Sequence, residues 1–301
     1  MKRLRQWRST RGVLLAGILG LSGCMAVQDV ILGNYSYDPT RSKAANITDA
    51  GKMTVLKDAE VPPALRPFID GPGLDWGAID GAQAWPNYAM LDLTPLLIGM
   101  GYGFHVENYQ RDAILAWVPS ELAATPQEAQ RKLVDTITRG FTEAFDRAGM
   151  RYVDRGTYES DGEIFGIGDP NINKVILFES HEMGCDLAGA PLVEENFKRL
   201  CSISFSVHKA AGLYPTPDFL HANPSGQSYL FSNWGDFDGN RVRVNLSLTA
   251  GDSGIKPRKM QVLQRVSAEL PEWVAIYVAQ DERNGTPRVL FSQGRSMFFV
   301  R

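Results

Sequence analysis

Residues 112–149 read DAILAWVPSELAATPQEAQRKLVDTITRGFTEAFDRAG, and two hydrophobic periods meet within them. Asp112–Val118 is a short unbroken apolar run, which predicts a buried strand. Thr125-Pro126-Gln127-Glu128 then carries a helix start. Thr125 suits the N-cap, Pro126 the first helical position, and Glu128 closes a capping box. Leu133, Ile137, Phe141, Ala144, Phe145 and Ala148 follow at helical spacing until Gly149 stops the helix.

Strand signals surround this unit. MRYVDRGTYES (150–160), NKVILFES (173–180), SISFSVH (202–208) and SYLFSNW (228–234) each suit an extended chain. Asp238-Gly239 marks a hairpin turn, and RVRVNLSL (241–248) alternates with period two. Pro257 opens a second helical pattern, Met260, Leu263, Val266 and Leu270, which must end before Pro271. EWVAIYVAQ and RVLFSQGRSMFFV finish the chain as strands around the turn DERNGTP. Strands outnumber helices and most links read as hairpins. The expected fold is therefore α+β, a mainly antiparallel sheet with two helices on one face. Residues 97–180 and 201–301 each read as strands, one helix, then strands, which is compatible with a distant duplication, although no residue-level repeat accompanies it.

The N-terminus addresses location. Lys2, Arg3, Arg5, Arg8 and Arg11 precede the apolar run Val13–Leu21, which is short for a membrane span and suits a signal peptide. Leu21-Ser22-Gly23-Cys24 follows: an aliphatic residue, two small residues, then cysteine. This segment resembles the lipobox of bacterial lipoproteins. The resemblance covers residues 1–24 and implies a signal peptide over 1–23, cleavage before Cys24, and a diacylglyceryl group on its sulfur with an acyl chain such as palmitate on its nitrogen. More than one chain gives stable anchoring. Met25 stands where an aspartate would favour inner-membrane retention, so the resemblance points to the outer membrane with the body in the periplasm. An uncleaved anchor or an ordinary secretory signal is the alternative. Residues 24–60 are polar and aperiodic and read as the lipidated cysteine and a tether, leaving 61–301 as one globular body. Within it, 61–100 is rich in Pro and Gly, and Phe68, Trp76, Trp85 and Tyr88 suggest packing on the body.

Composition narrows the partners. The full chain carries net charge −3, and loss of the five leader cations leaves about −8. An acidic body is not built for nucleic acid. Three cysteines leave an odd one in an exported protein, and lipid on Cys24 removes it. Cys185 and Cys201 then suit a disulfide in an oxidising compartment, with two free thiols or a metal site as alternatives.

No complete catalytic pattern emerges. Ser180, His181 and Glu182 form the densest polar cluster, in GLU-SER-HIS-GLU order from 179. Residue 185 is Cys where a zincin needs its second histidine, and the glycines of a nucleophile elbow are missing around Ser180. His105 and Glu107 could share a strand face but lack a visible third ligand, and His208 and His221 stand alone. Gly99, Gly101 and Gly103 have the wrong spacing for a dinucleotide fold. Asp236–Asn240 begins like a calcium loop, but its glycine falls early and Ser247 takes the place of the closing glutamate. Neither a cofactor nor a resident metal is expected. Tyr214 and Phe219, in a proline-bearing loop, are candidates for partner contact. The expectation is a non-catalytic envelope lipoprotein that binds a protein, lipid or glycan partner in envelope assembly or maintenance. The alternatives are a periplasmic hydrolase or metal-dependent enzyme built on Ser180, His181 and Glu182, and a surface-exposed host-contact protein.

Overall fold

The structure is a computed structural model. It describes residues 35–53, 56, 58–60, 111–160, 171–181, 183–208, 210, 213–220, 226–232, 234–235, 241–242, 244–249, 259–280 and 287–300. The leader, Cys24, Glu182, His221, the 61–110 segment with its glycines, His105 and Glu107, and the Asp236–Asn240 turn lie outside these residues. From Tyr37 onward the described residues belong to one compact unit.

The fold is α+β, with mostly antiparallel sheets and helices. The 112–149 stretch forms β1 (Ala113–Pro119) and α2 (Pro126–Arg147), preceded in the chain by α1 (Lys43–Ala50). The Thr125 hydroxyl accepts from Glu128 N at 3.2 Å, while the Glu128 carboxylate takes Ala124 N, one residue earlier than in a capping box. Next come β2 (Tyr152–Ser160), β3 (Asn171–Phe178), β4 (Cys201–Val207), β5 (Leu213–Pro215) and β6 (Gln227–Phe231). β7 (Trp234–Gly235) and β8 (Arg241–Val242) pair separately, and β9 (Val244–Thr249) leads to α3 (Lys259–Glu269). The hairpin strands β10 (Val274–Val278), β11 (Val289–Ser292) and β12 (Arg295–Phe298) close the order.

The main sheet runs β12-β11-β10-β1-β9-β4-β3-β2, with neighbours antiparallel. β6 takes the far end of β1 alongside, from Ala116 to Pro119, and β5 pairs with β6. The two strand–helix–strand units are wired differently. After α2 the chain enters the sheet at its far edge and works inward through β2, β3 and β4. After α3 it enters beside β1 and works outward to β12. The halves share a composition of elements but trace different paths.

The two ends of the sheet are buried differently. β1 and β10 are buried at every position. Phe141 and Phe145 of α2 lie over Phe205 and Phe178, which fixes α2 on the inner face of β3 and β4. The opposite face of β1 meets the end of α1, where a Cβ on Gly51 would lie 2.5 Å from Leu115 Cδ2. By contrast β3 and β4 alternate strictly between buried and half-buried. One face of that end is therefore open. Its β4 row is Ser202, Ser204 and Ser206.

The sequence placed residues 24–60 in a tether, and the structure corrects that boundary. Lys43–Ala50 is a helix buried from Ala44 to Ala50. Its polar residues hide the pattern, because their hydrogen bonds are local. Asn46 accepts from Asp38 N and donates to Asp38 O, and Thr48 Oγ1 donates to Ala44 O. Ser42 caps the helix and is itself held by the Asp58 carboxylate. A helix buried all round has no apolar stripe to read.

Lys174 occupies the inner row between Ile172 and Ile176, with its side chain 7% exposed and its ammonium 2.6 Å from Asp154. Burying a cation costs desolvation that its partner largely offsets. Lys174→Met should therefore leave stability within about 1 kcal/mol, because Asp154 at the edge can rehydrate. Asp154→Ala should cost more than Lys174→Met, since it leaves the buried ammonium without its carboxylate; paired urea titrations would read the order.

Candidate functional site

The Ser180 cluster lies where β3 leaves the sheet. Ser180 and Cys185 exchange backbone hydrogen bonds of 2.8 and 3.0 Å, closing a tight turn in which Gly184 has φ +68°. Ser180 is 4% exposed, and its hydroxyl accepts from Met183 N at 3.2 Å. The His181 side chain is 95% exposed, with Nδ1 3.5 Å from the Asp186 carboxylate. Thus the two neighbours have opposite environments, one serving the turn and one in solvent.

The strongest interactions here are structural. Arg151, just before β2, meets the Glu179 carboxylate through Nε at 2.5 Å and Nη2 at 2.6 Å. Glu179 also accepts from Leu187 N, and Arg151 donates to Ala190 O. The Arg151 guanidinium holds the Glu179 carboxyl below the usual carboxylate range, against partial desolvation. Cys185 and Cys201 are joined with Cα atoms 5.5 Å apart, within the span a disulfide requires. Bridge, ion pair and turn make this corner a rivet between β2, β3 and β4.

Of the predicted contact residues, Tyr214 on β5 and Phe219 are half-buried, and the Phe219 ring lies 5.3 Å from that of Tyr37. His208 is half-buried just past β4. Among the described residues, no group of three or more His, Cys, Asp or Glu side chains could hold a metal ion. Nor is any described helix long and apolar enough to cross a membrane.

The described residues line two concave regions. A polar cleft of about 520 Å³ lies between α2 and the end of α3, with Lys132, Arg139, Glu143 and Glu272 among its walls and Trp273 beneath. Its charges are of both signs, and Glu269 is already engaged by Arg147 at 2.9 Å. The other, about 350 Å³, lies on the open sheet face and is lined by Arg155, Gly156, Tyr158, Val175, Leu177 and Phe197. A bulge between Asp154 and Thr157, with Gly156 at φ +83°, re-aims β2 there. Arg155 lies over the Phe197 ring at 4.9 Å, and Tyr158 is 58% exposed.

No known family, curated protein or solved structure matches the chain. Sequence reading singled out the Ser180 cluster and passed over Arg155, Tyr158 and Phe197. Its available signal was the alternation SISFS: every outward position of β4 is serine.

Proposed function

We propose that this protein is a membrane-anchored envelope lipoprotein whose body binds a partner without catalysing a reaction. The observation that carries the reading is the order of the N-terminal segment: five cations, a short apolar run, then Leu21-Ser22-Gly23-Cys24. The acyl chains on Cys24 would hold the protein at the outer membrane with its body in the periplasm. The Cys185–Cys201 bridge suits a compartment in which disulfides persist. Ser180 Oγ accepts from Met183 N inside the turn while His181 lies in solvent beside Asp186, environments that disfavour a Ser180–His181 nucleophile–base pair.

The test is processing. Expressed with palmitate label, the unaltered chain should take up the label and lose its leader, whereas Cys24→Ser should stay unlabelled and keep its leader. Labelling and processing of Cys24→Ser like those of the parent would overturn the reading.

A further inference from the structure

Five large apolar side chains are exposed among the described residues: Tyr37, Leu122, Tyr158, Val193 and Leu213. Tyr37 differs from the others in its place in the chain. It is the first residue of the compact unit and stands thirteen positions after Cys24. A chain of that length spans at most about 45 Å. With acyl chains on Cys24, Tyr37 therefore stays within that distance of the bilayer. No other exposed apolar side chain follows the anchor so closely in the chain.

Tyr37 has neighbours of its own kind. Its ring meets that of Phe219 at 5.3 Å, tilted by 59°. Phe219 lies in the short helical turn Asp218–Leu220, just beyond β5. On β5, Leu213 and Pro215 are both exposed and share one side of the strand. No charged residue occurs from Tyr35 to Tyr37 or from Leu213 to Pro217. Carboxylates border both runs: Asp38 accepts from Thr40 N at 2.8 Å, and Asp218 is exposed.

We propose that Tyr37 and Phe219, with Leu213 and Pro215 of the adjoining β5, rest on the bilayer that holds the acyl chains, at the level of the phospholipid headgroups. The inference rests on the lipid-anchor reading above and names the face turned to the membrane. The side chains suit that depth. A tyrosine buries its ring and keeps its hydroxyl wet, which is why tyrosine collects at membrane–water interfaces. The bordering charges are acidic, so the contact is made by apolar surface on zwitterionic phospholipid and not by attraction to anionic lipid. A patch of this size would hold a free protein only weakly. The tether changes that, because a short connection raises the local concentration of the bilayer surface to the millimolar range. A contact of about millimolar affinity is then occupied roughly half the time. A second copy fits less well, since a stable protein interface buries about 800 Å² on each partner, far more than a few half-exposed side chains supply.

A fluorescent label on Asp218→Cys reads the contact. Lipid occupies Cys24 and Cys185 is bonded to Cys201, so the introduced thiol is the one left to react. The lipidated full chain is reconstituted at low protein-to-lipid ratio in vesicles of phosphatidylethanolamine and phosphatidylcholine doped with a lipid that carries a nitroxide on its headgroup. The label at 218 should be quenched about threefold or more over the same label at Tyr158→Cys on the open sheet face. Tyr37→Ser and Leu213→Ser, which each remove a half-exposed side chain, should lower the quenching at 218 by about half or more. Equal quenching at 218 and 158, or quenching at 218 that neither substitution lowers, overturns the proposal. So does self-association in the vesicles that Tyr37→Ser abolishes, which would make the patch a contact between copies. Flotation separates this inference from the one beneath it. A chain that does not float with the vesicles refutes the anchor and this contact with it, whereas a floating chain without preferential quenching at 218 refutes the contact alone.

Discussion

Phe145→Ala should lower the unfolding free energy by about 3–5 kcal/mol, the loss expected for a large aromatic side chain removed from a packed core. Phe145 is 1% exposed in the last turns of α2. Its ring stacks on Phe178 with centroids 4.7 Å apart and planes 17° from parallel. It also meets Tyr152 at 5.8 Å and Phe141, one helical turn back, at 6.1 Å. One side chain therefore joins the end of α2, the start of β2 and the end of β3. Truncation opens a cavity whose walls are held by two paired strands and cannot collapse into it. The urea midpoint should fall with the slope unchanged, since the native topology survives. Tyr158→Ala is the matched control: it removes a comparable ring that is 58% exposed, and its stability should stay within about 0.5 kcal/mol of the parent. A Phe145→Ala loss as small as that of the control would mean that α2 does not pack on β3.

Much of this architecture was legible because its signals are local and redundant. The Thr125-Pro126 start, the apolar spacing from Leu133 to Phe145 and the alternation of β4 each declare themselves in a few residues, and the strands and helices form where these patterns fall. Helix α1 was illegible for a physical reason. Its buried Asn46 and Thr48 are satisfied by the adjacent backbone, so residues that look like a solvated tether are core. Strand order was equally hidden: nothing local says that β2 joins the sheet at the far edge while β10 joins beside β1. The Ser180 cluster drew notice because catalytic vocabulary is polar, yet Glu179 and Ser180 are spent on holding a corner together. The open face escaped notice for the opposite reason. Single serines are unremarkable in a sequence, and only strand pairing sets Ser202, Ser204 and Ser206 beside Thr249, Ser247 and Asn173. Gly156 and its bulge then bring Arg155 and Tyr158 to the rim, a geometry that no spacing rule encodes.

Replacing both bridging cysteines, Cys185→Ser with Cys201→Ser, should cost about 3 kcal/mol, because closing a loop of this length removes that much chain entropy from the unfolded state. The bridge spans a sequence separation of 16, and both half-cystines are fully buried. In a domain of this size the loss corresponds to a fall in Tm of roughly 6–12 °C. Reductant should leave the melting of the double variant unchanged and bring the parent down towards it. The effect should also couple to Phe145, since Cys201 lies opposite Phe178 in the β3–β4 register, on the row that Phe145 covers. Without the bridge the corner can relax around a missing ring, so Phe145→Ala should cost less in the serine background than in the parent. A shortfall of about 0.5 kcal/mol or more marks direct coupling. Phe291→Ala supplies the comparison: it is buried on β11, four strands from β4 in the sheet, or about 19 Å at the usual interstrand spacing. Its cost should be the same in both backgrounds to within about 0.5 kcal/mol. If Phe145 were additive as well, disulfide and aromatic stack would be two independent fastenings, whereas the shared register of Phe178 and Cys201 requires one.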